Sequence, residues 1–258
     1  MSLSWLKPDW DAPLRVASLA STRQGGCSLG PYAGLNLAAH VGDTAAAVAA
    51  NRQLLASVLP GEPLWLSQVH GAQVVHAESA AQGVEADACV ARTPNLVLAV
   101  MHADCLPVLF CDDGGSVVAV AHAGWRGLAA GVLENTVAAM AVPGQRLRAW
   151  LGAAISQPAF EVGAEVRAAF MAADDGAAVA FSAAAPGKWR CDLYALARLR
   201  LARVGVTRVF GGACCTYADA GRFYSYRRDG STGRMATLIW LQAESGRRVE
   251  VDCVEDDC

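Results

Sequence analysis

The chain has 258 residues, of which 54% are hydrophobic and 17% charged, against roughly 25% charged in an average soluble domain, so a buried core and not a disordered chain is expected. A formal net charge of −3 offers no global attraction for a phosphate backbone or an anionic bilayer, which argues against nucleic acid and membrane surfaces as partners. Met1 to Ser21 carries Asp9, Asp11, Pro8 and Pro13 and no secretory apolar region, and later apolar runs are interrupted by Asp104, Asp112, Glu134 or Arg148 before they could span a membrane. A cytoplasmic location follows as the expectation, and the nine cysteines are then read as reduced thiols, mostly small buried hydrophobes, in place of a disulfide framework.

In chain order, Val16 to Arg23 reads as a strand that runs into breakers at Gly25-Gly26 and Gly30-Pro31-Tyr32. Asp43 or Thr44 caps a helix from Thr44 to Leu59, closed by Pro60-Gly61. Three apolar, β-rich runs follow at Leu64–Val69, Leu96–Met101 and Val117–Ala121. Gly124 to Gly127 opens a helix over Leu128–Met140, Trp150–Ile155 reads as a strand and Val162–Ala173 as a helix. Asp175 to Trp189 is a long irregular insertion, Asp192 caps a helix ending at Gly205, and Val206–Phe210 and Thr237–Leu241 are strands. This mixed order predicts layered packing of helices on a sheet system in one domain over residues 1–241, with a mobile acidic tail over 242–258.

Each of the three β-rich runs ends in chemistry. His70, Cys105 and His122 stand at their tips, in Gln68-Val69-His70-Gly71, Ala103-Asp104-Cys105-Leu106-Pro107 and Ala121-His122-Ala123-Gly124-Trp125-Arg126-Gly127. Imidazole and thiolate both suit zinc, and three protein ligands are the pattern of a catalytic ion rather than a closed structural one. The separations match no local zinc-finger spacing, so two other readings stand beside this one. His70 and His122 are then turn histidines with Cys105 a buried thiol, or Cys105 is a nucleophile with His122 as its base. His102, by strand alternation, should point away from Cys105, toward a surface or supporting role, and His40 and His76 have no comparable context.

Arg23 in Ser21-Thr22-Arg23-Gln24-Gly25-Gly26 and Arg126 in Gly124-Trp125-Arg126-Gly127 each sit beside glycine-rich backbone, which suits phosphate or carboxylate recognition or, equally, a surface arginine over a turn. Asp104 is an orienting group, a proton donor or a plain turn residue. Phe223-Tyr224-Ser225-Tyr226-Arg227-Arg228-Asp229-Gly230 interleaves aromatics and cations, a pattern usual in a solvated hairpin. No Walker loop or dinucleotide fingerprint is present, so ATP and NAD readings have no support.

Taken together with Leu35-Asn36-Leu37, His40-Val41-Gly42-Asp43, Phe160-Glu161-Val162-Gly163 and Thr232-Gly233-Arg234-Met235, these motifs resemble the bacterial YfiH/YlmD family, also labelled laccase-domain or multicopper polyphenol oxidase-like proteins, over about Ala17 to Leu241. The resemblance implies an α+β fold, a single-domain layered α/β/β/α sandwich with mixed sheets. It implies a zinc-dependent purine nucleoside phosphorylase acting on adenosine, with inosine, guanosine and methylthioadenosine as further substrates, phosphate as co-substrate and adenosine deamination as a side activity. The metal ligands it implies are His70, Cys105 and His122. Asp104, Arg126 and Arg23 are the catalytic residues assigned with it, and Gln68 and Arg227 the substrate-binding ones. Copper occupancy is expected only under copper-rich conditions, and laccase chemistry is disfavoured because no further histidine cluster accompanies the set. The same family is linked to editing of peptidoglycan precursors, an amide hydrolysis, and a zinc-stabilised non-enzymatic binding module is the remaining alternative. His102 stands where the resemblance leads one to expect Thr.

Overall fold

The structure is a computed structural model and describes residues 3–243. The tail expected over 242–258 therefore lies, from residue 244 onward, outside the described residues. Two large mixed sheets are stacked. One has the order Trp5–Leu6, Val16–Ser21, Met235–Leu241, Val97–His102, Pro63–Trp65, and the other the order Arg208–Gly211, Leu147–Leu151, Leu106–Asp112, Val118–Ala123, Ala88–Ala91, Val74–His76.

The central strands are buried at every residue, because each sheet is covered on both faces. Alternation assigns their side chains to layers. Leu98, Val100, Met235 and Ile239 of the first sheet meet Leu109, Cys111, Val118 and Val120 of the second between the sheets. Val97, Ala99, Leu238 and Trp240 face outward onto Leu55 of the helix Ala45–Ala56 and onto Leu35 and Leu37. Val108, Phe110, Ala119 and Ala121 face the opposite way, onto Leu133 and Met140 of the helix Val132–Met140 and Leu196 and Leu201 of the helix Leu193–Arg203. The result is the α/β/β/α sandwich with mixed sheets.

Several elements differ from the sequence reading for local reasons. Leu106–Asp112 is a strand of the second sheet although Pro107 interrupts it; pairing with Leu147–Leu151 begins only at Val108, so the missing N–H of Pro107 falls beyond that ladder. The helix expected over Leu128–Met140 is two helices, Trp125–Ala129 and Val132–Met140, parted by Gly131 at φ 92°. Val162 lies in the extended segment Glu161–Gly163, and only Ala164–Met171 is helical. The insertion at Asp175 to Trp189 is a 3₁₀ turn, Asp175–Ala180, followed by the short strands Phe181–Ala183 and Lys188–Cys191, which form a third sheet with Glu161–Gly163. The aromatic and basic stretch is no hairpin but one helical turn, Tyr226–Asp229, capped by Ser225.

Cys27, Cys89, Cys105, Cys111, Cys191 and Cys215 are free thiols, whereas Cys214 is disulfide-bonded, a departure from the reading of reduced thiols. Among the described residues no helix is long and apolar enough to cross a membrane.

Thr44 and Asp192 cap their helices, the carboxylate of Asp192 accepting from the Ala195 N–H at 3.0 Å. Substituting Asp192→Ala is expected to lower unfolding free energy by about 1 kcal/mol, read as a lower urea midpoint with an unchanged slope; an unchanged midpoint would contradict the assignment.

Candidate metal and ligand site

Strands of both sheets end at one rim. Val97–His102 of the first sheet passes to Leu106–Asp112 of the second through Ala103, Asp104 and Cys105 alone, so Cys105 is placed where the chain crosses between the layers. Asp104 holds this turn: at φ 89° it occupies a region that side chains avoid, and its carboxylate accepts from the Thr216 hydroxyl at 2.6 Å and the Arg227 N–H at 2.7 Å. His122 leaves Val118–Ala123 on the same side as Val118 and Val120, which face the space between the sheets.

Asp87 ties His70 to His122. Its carboxylate is fully buried and accepts from the backbone N–H groups of Val69, His70 and Gly71 at 3.1, 3.0 and 2.7 Å, and it lies 2.8 Å from Nδ1 of His122. Its carbonyl also accepts from the His122 N–H at 2.7 Å. Burial alone would raise the Asp87 pKa, but the bond to His122 and the amides of Gly71 and Val69 hold it below the usual carboxylate value. The amide cradle stabilises His70 in a left-handed conformation, φ 60°. With Nδ1 of His122 engaged by the carboxylate, Nε2 is the nitrogen left to face its neighbours.

The ligating atoms of His70, Cys105 and His122 all lie within 4.8 Å of one another, with Cys105 Sγ 3.8 Å from His70 Nε2 and the two imidazoles edge to face at 4.9 Å. Ligands around a tetrahedral zinc ion, at ordinary Zn–S and Zn–N lengths, stand about 3.6 Å apart, so this donor set fits a zinc ion with little adjustment. Gly124 permits the approach: a Cβ there would fall 2.9 Å from Cys105 Sγ and 3.1 Å from His70 Cδ2. Burial opposes a Cys105 thiolate, yet the charge and hydrogen bond of His122, aided by His70, bring its pKa down to about 6. Burial likewise opposes charge on His122, and the Cys105 thiolate and Asp87 outweigh it, raising its pKa to about 9.

The cluster opens on a cavity of about 340 Å³, whose other walls are His40, Gln68, Met101, His102, Ala103, Tyr226 and Arg234. Among the described residues no carboxylate lines it. Gln68 is in the wall, with its carboxamide committed at both ends to the Met101 backbone, at 2.8 and 2.7 Å. Asp104 stands behind the wall. The other arginines named from the sequence lie elsewhere. Arg23 donates to the carbonyls of Ala220 and Ala33 and stacks on Tyr224, Arg126 is exposed over Trp125, and Arg227 donates to the Glu161 carbonyl against Phe160.

Of the two positions expected for His102, on the surface or in a supporting role beside the site, burial overturns the first: it is 2% exposed and lines the same cavity as Cys105. Asp87, His40, Tyr226 and Arg234 were not singled out from the sequence. For Asp87 the available signal is a lone acid between Ala86 and the apolar strand Ala88–Ala91.

The pKa values imply a pH window. The stabilisation by a depressed Cys105 is lost as pH falls through about 6, and that of a raised His122 is lost as pH rises through about 9. In metal-free protein the thiolate absorbance of Cys105, isolated by difference against Cys105→Ser, is expected to titrate near pH 6; a midpoint at the ordinary thiol value of 9.0 would contradict the ion pair.

A family model described as multi-copper polyphenol oxidoreductase laccase matches residues 17–242. The chain is 54% identical over 240 residues to purine nucleoside phosphorylase PA4543 of Pseudomonas aeruginosa, a match covering 93% of this chain and 99% of that protein. It is also 54% identical over 237 residues to purine nucleoside phosphorylase YfiH of Escherichia coli, covering 91% and 97%. Among solved structures, Neisseria meningitidis protein NMB0706 superposes with a TM-score of 0.90 at 52% identity over 93% of this chain and all of that one. YlmD from Geobacillus stearothermophilus superposes at 0.84 and 28% identity over 94% and 98%.

Proposed function

Since this chain belongs to the YfiH/YlmD family of laccase-domain proteins, we propose that it is a cytoplasmic, zinc-dependent purine nucleoside phosphorylase acting on adenosine, and on inosine, guanosine and methylthioadenosine. The bond from the pentose C1′ to the purine nitrogen breaks, a phosphate oxygen bonds to C1′, and the purine leaves with a proton. The observation that carries this reading is a three-donor cluster opening on a cavity of about 340 Å³ that no carboxylate lines among the described residues, a size within the range of small-molecule sites.

His70, Cys105 and His122 would hold the ion, which when bound supplies Lewis-acid polarisation and a lowered pKa for water. Asp87 fixes the ring of His122 and the backbone at His70, so two of the three donors are set before any ligand arrives. Arg234 donates to the carbonyls of Thr232 and Gly233 and lies over the Tyr226 ring, but it is in the wall, and it takes the anion-stabilising role expected of Arg23 and Arg126, which lie away from the cavity. Tyr226, 61% exposed, presents a ring at the cavity for a purine to stack on. Gln68 shapes the wall, and Asp104 with the Arg227 backbone positions the Cys105 turn and the Tyr226–Asp229 helix. Adenosine deamination accompanies the main reaction as a minor activity.

The donor chemistry favours zinc, with copper entering when it is abundant. Among the described residues no second metal-ligating cluster of the kind multicopper oxidation needs is present. A second reading rests on the order Cys105, His122, Asp87, the arrangement of a thiolate nucleophile with its base and orienting acid, and assigns amide hydrolysis on a peptidoglycan precursor.

Adenosine is to be followed with and without phosphate, using protein of measured metal content and a folded His122→Gln variant. Phosphate-dependent adenine release, reduced at least about a hundredfold in the variant, is the expected result. Phosphate-independent turnover, or full activity in the variant, would overturn it; amide cleavage that survives chelation and is lost in Cys105→Ser would support the second reading.

A further inference from the structure

The departing purine needs a proton, and Asp104, the acid expected to give it, stands behind the cavity wall with its carboxylate bonded to the Thr216 hydroxyl and the Arg227 N–H. The donor has to be sought among the side chains of the wall itself. His70, Cys105 and His122 form the donor set for the ion, and Gln68 is committed at both ends to the Met101 backbone. His102 is buried against Thr237. The Arg234 guanidinium cannot give up its charge and donates to the carbonyls of Thr232 and Gly233. His40 is left, and imidazole is the side chain most often used for such a transfer.

His40 is exposed and lines the cavity, and among the described residues its ring makes no hydrogen bond. The loop that carries it is nevertheless fixed on both sides. Asn36, fully buried, accepts from the Ala38 N–H at 3.1 Å and donates to the Ala38 carbonyl at 3.2 Å and the Asp43 carboxylate at 2.9 Å. The Tyr32 hydroxyl donates to the Val41 carbonyl at 2.6 Å. The carboxamide oxygen of Asn36 also accepts from the Arg234 N–H at 3.0 Å, so one side chain sets the loops of two wall residues against each other. A pinned loop presenting an unpartnered imidazole to a cavity has its ring reserved for a ligand.

Burial, then the charges of Arg234 and Arg52, lower the His40 pKa, while Asp43, the nearest acid along the chain, is turned to Ser28 and Asn36. A phosphate dianion in the cavity offsets the two cations and favours the protonated ring.

We propose that His40 is the general acid of this site, its imidazolium giving a proton to the purine as the bond to C1′ breaks. The inference rests on the phosphorylase reading and deepens it. A ring N–H bond of His40 breaks and an N–H bond forms on the purine, which keeps the electron pair of the C1′–N bond while a phosphate oxygen bonds to C1′. The proton shed by the phosphate as it becomes an ester returns to the imidazole through solvent, so none is consumed.

The test compares His40→Gln with the unmodified protein at saturating phosphate on two nucleosides: adenosine, and 7-methylguanosine, whose purine is already cationic and leaves without a further proton. Because His40 is exposed and Asn36 holds its loop, the variant is expected to keep its melting temperature and zinc content. The kcat for adenosine is expected to fall at least about a hundredfold and that for 7-methylguanosine by less than about threefold. In the unmodified protein the adenosine kcat is expected to decline as pH rises through the His40 titration in the substrate complex, and this limb is lost in the variant. Equal losses on the two nucleosides, an unchanged adenosine kcat, or a limb that survives the substitution would overturn the proposal. Should 7-methylguanosine not be turned over, the adenosine kcat and its pH limb decide. Failure of the phosphorylase reading itself is distinguishable, because the unmodified protein would then release no adenine or release it without phosphate.

Discussion

The site depends on one buried carboxylate. Asp87 accepts from three consecutive backbone amides and faces the imidazole of His122, so a single side chain fixes a strand-end histidine and the loop that carries another. Hydrogen bonds to a charged group contribute about 1.5–3 kcal/mol each, and an ionised carboxylate buried without them would be far costlier than a surface one. The arrangement is therefore mutually conditional: the loop keeps its left-handed turn at His70 because the carboxylate is there, and the carboxylate stays ionised because the amides and His122 surround it. Cys105 completes the chain of dependence, its thiolate favoured by His122, which in turn is favoured by Asp87.

The sandwich is what brings these groups to one place. Between two sheets, side chains alternate between the inner layer and the helical layers, and the inner layer ends at the rim where His102 and His122 replace the aliphatic series Leu98, Val100 and Val118, Val120. The passage from one sheet to the other takes only Ala103, Asp104 and Cys105, which leaves the thiol no alternative but the rim. Gly124 opens the following helix at the point of closest approach, where a methyl group would collide with sulfur. A packed core of this kind gives ligands a fixed spacing before any ion binds, which lowers the ordering cost that a flexible donor set would incur.

How much of this is legible in the sequence follows from what is local. His70, Cys105 and His122 terminate apolar runs, and strand ends are visible as composition changes. Asp87 is not visible in that way, because its role arises from the antiparallel pairing of Ala88–Ala91 with Val118–Ala123, in which Ala88 faces Ala121 and the next position brings Asp87 to His122. Strand Leu106–Asp112 was obscured by Pro107, which is tolerated only because the neighbouring ladder starts one residue later. Arg23 and Arg126 sit in glycine-rich contexts much like that of Arg234 in Thr232-Gly233-Arg234, and nothing local separates them. The separation is tertiary: the first is held by the carbonyls of Ala33 and Ala220, the second stacks on its own neighbour, and the third alone reaches the cavity. For His102, strand alternation counted as far as Cys105 misleads, because Cys105 lies past the turn at Asp104 and no longer follows the strand.

The most direct measurement of the central claim is the zinc affinity of an Asp87→Asn variant whose circular dichroism matches the unmodified protein. The carboxamide keeps one oxygen for the loop amides and loses the charge that orients His122. The account predicts stoichiometric zinc binding in the unmodified protein and an affinity roughly ten- to a hundredfold lower in the variant. Equal affinities in the two proteins would show that the three donors are positioned without Asp87 and would contradict the account.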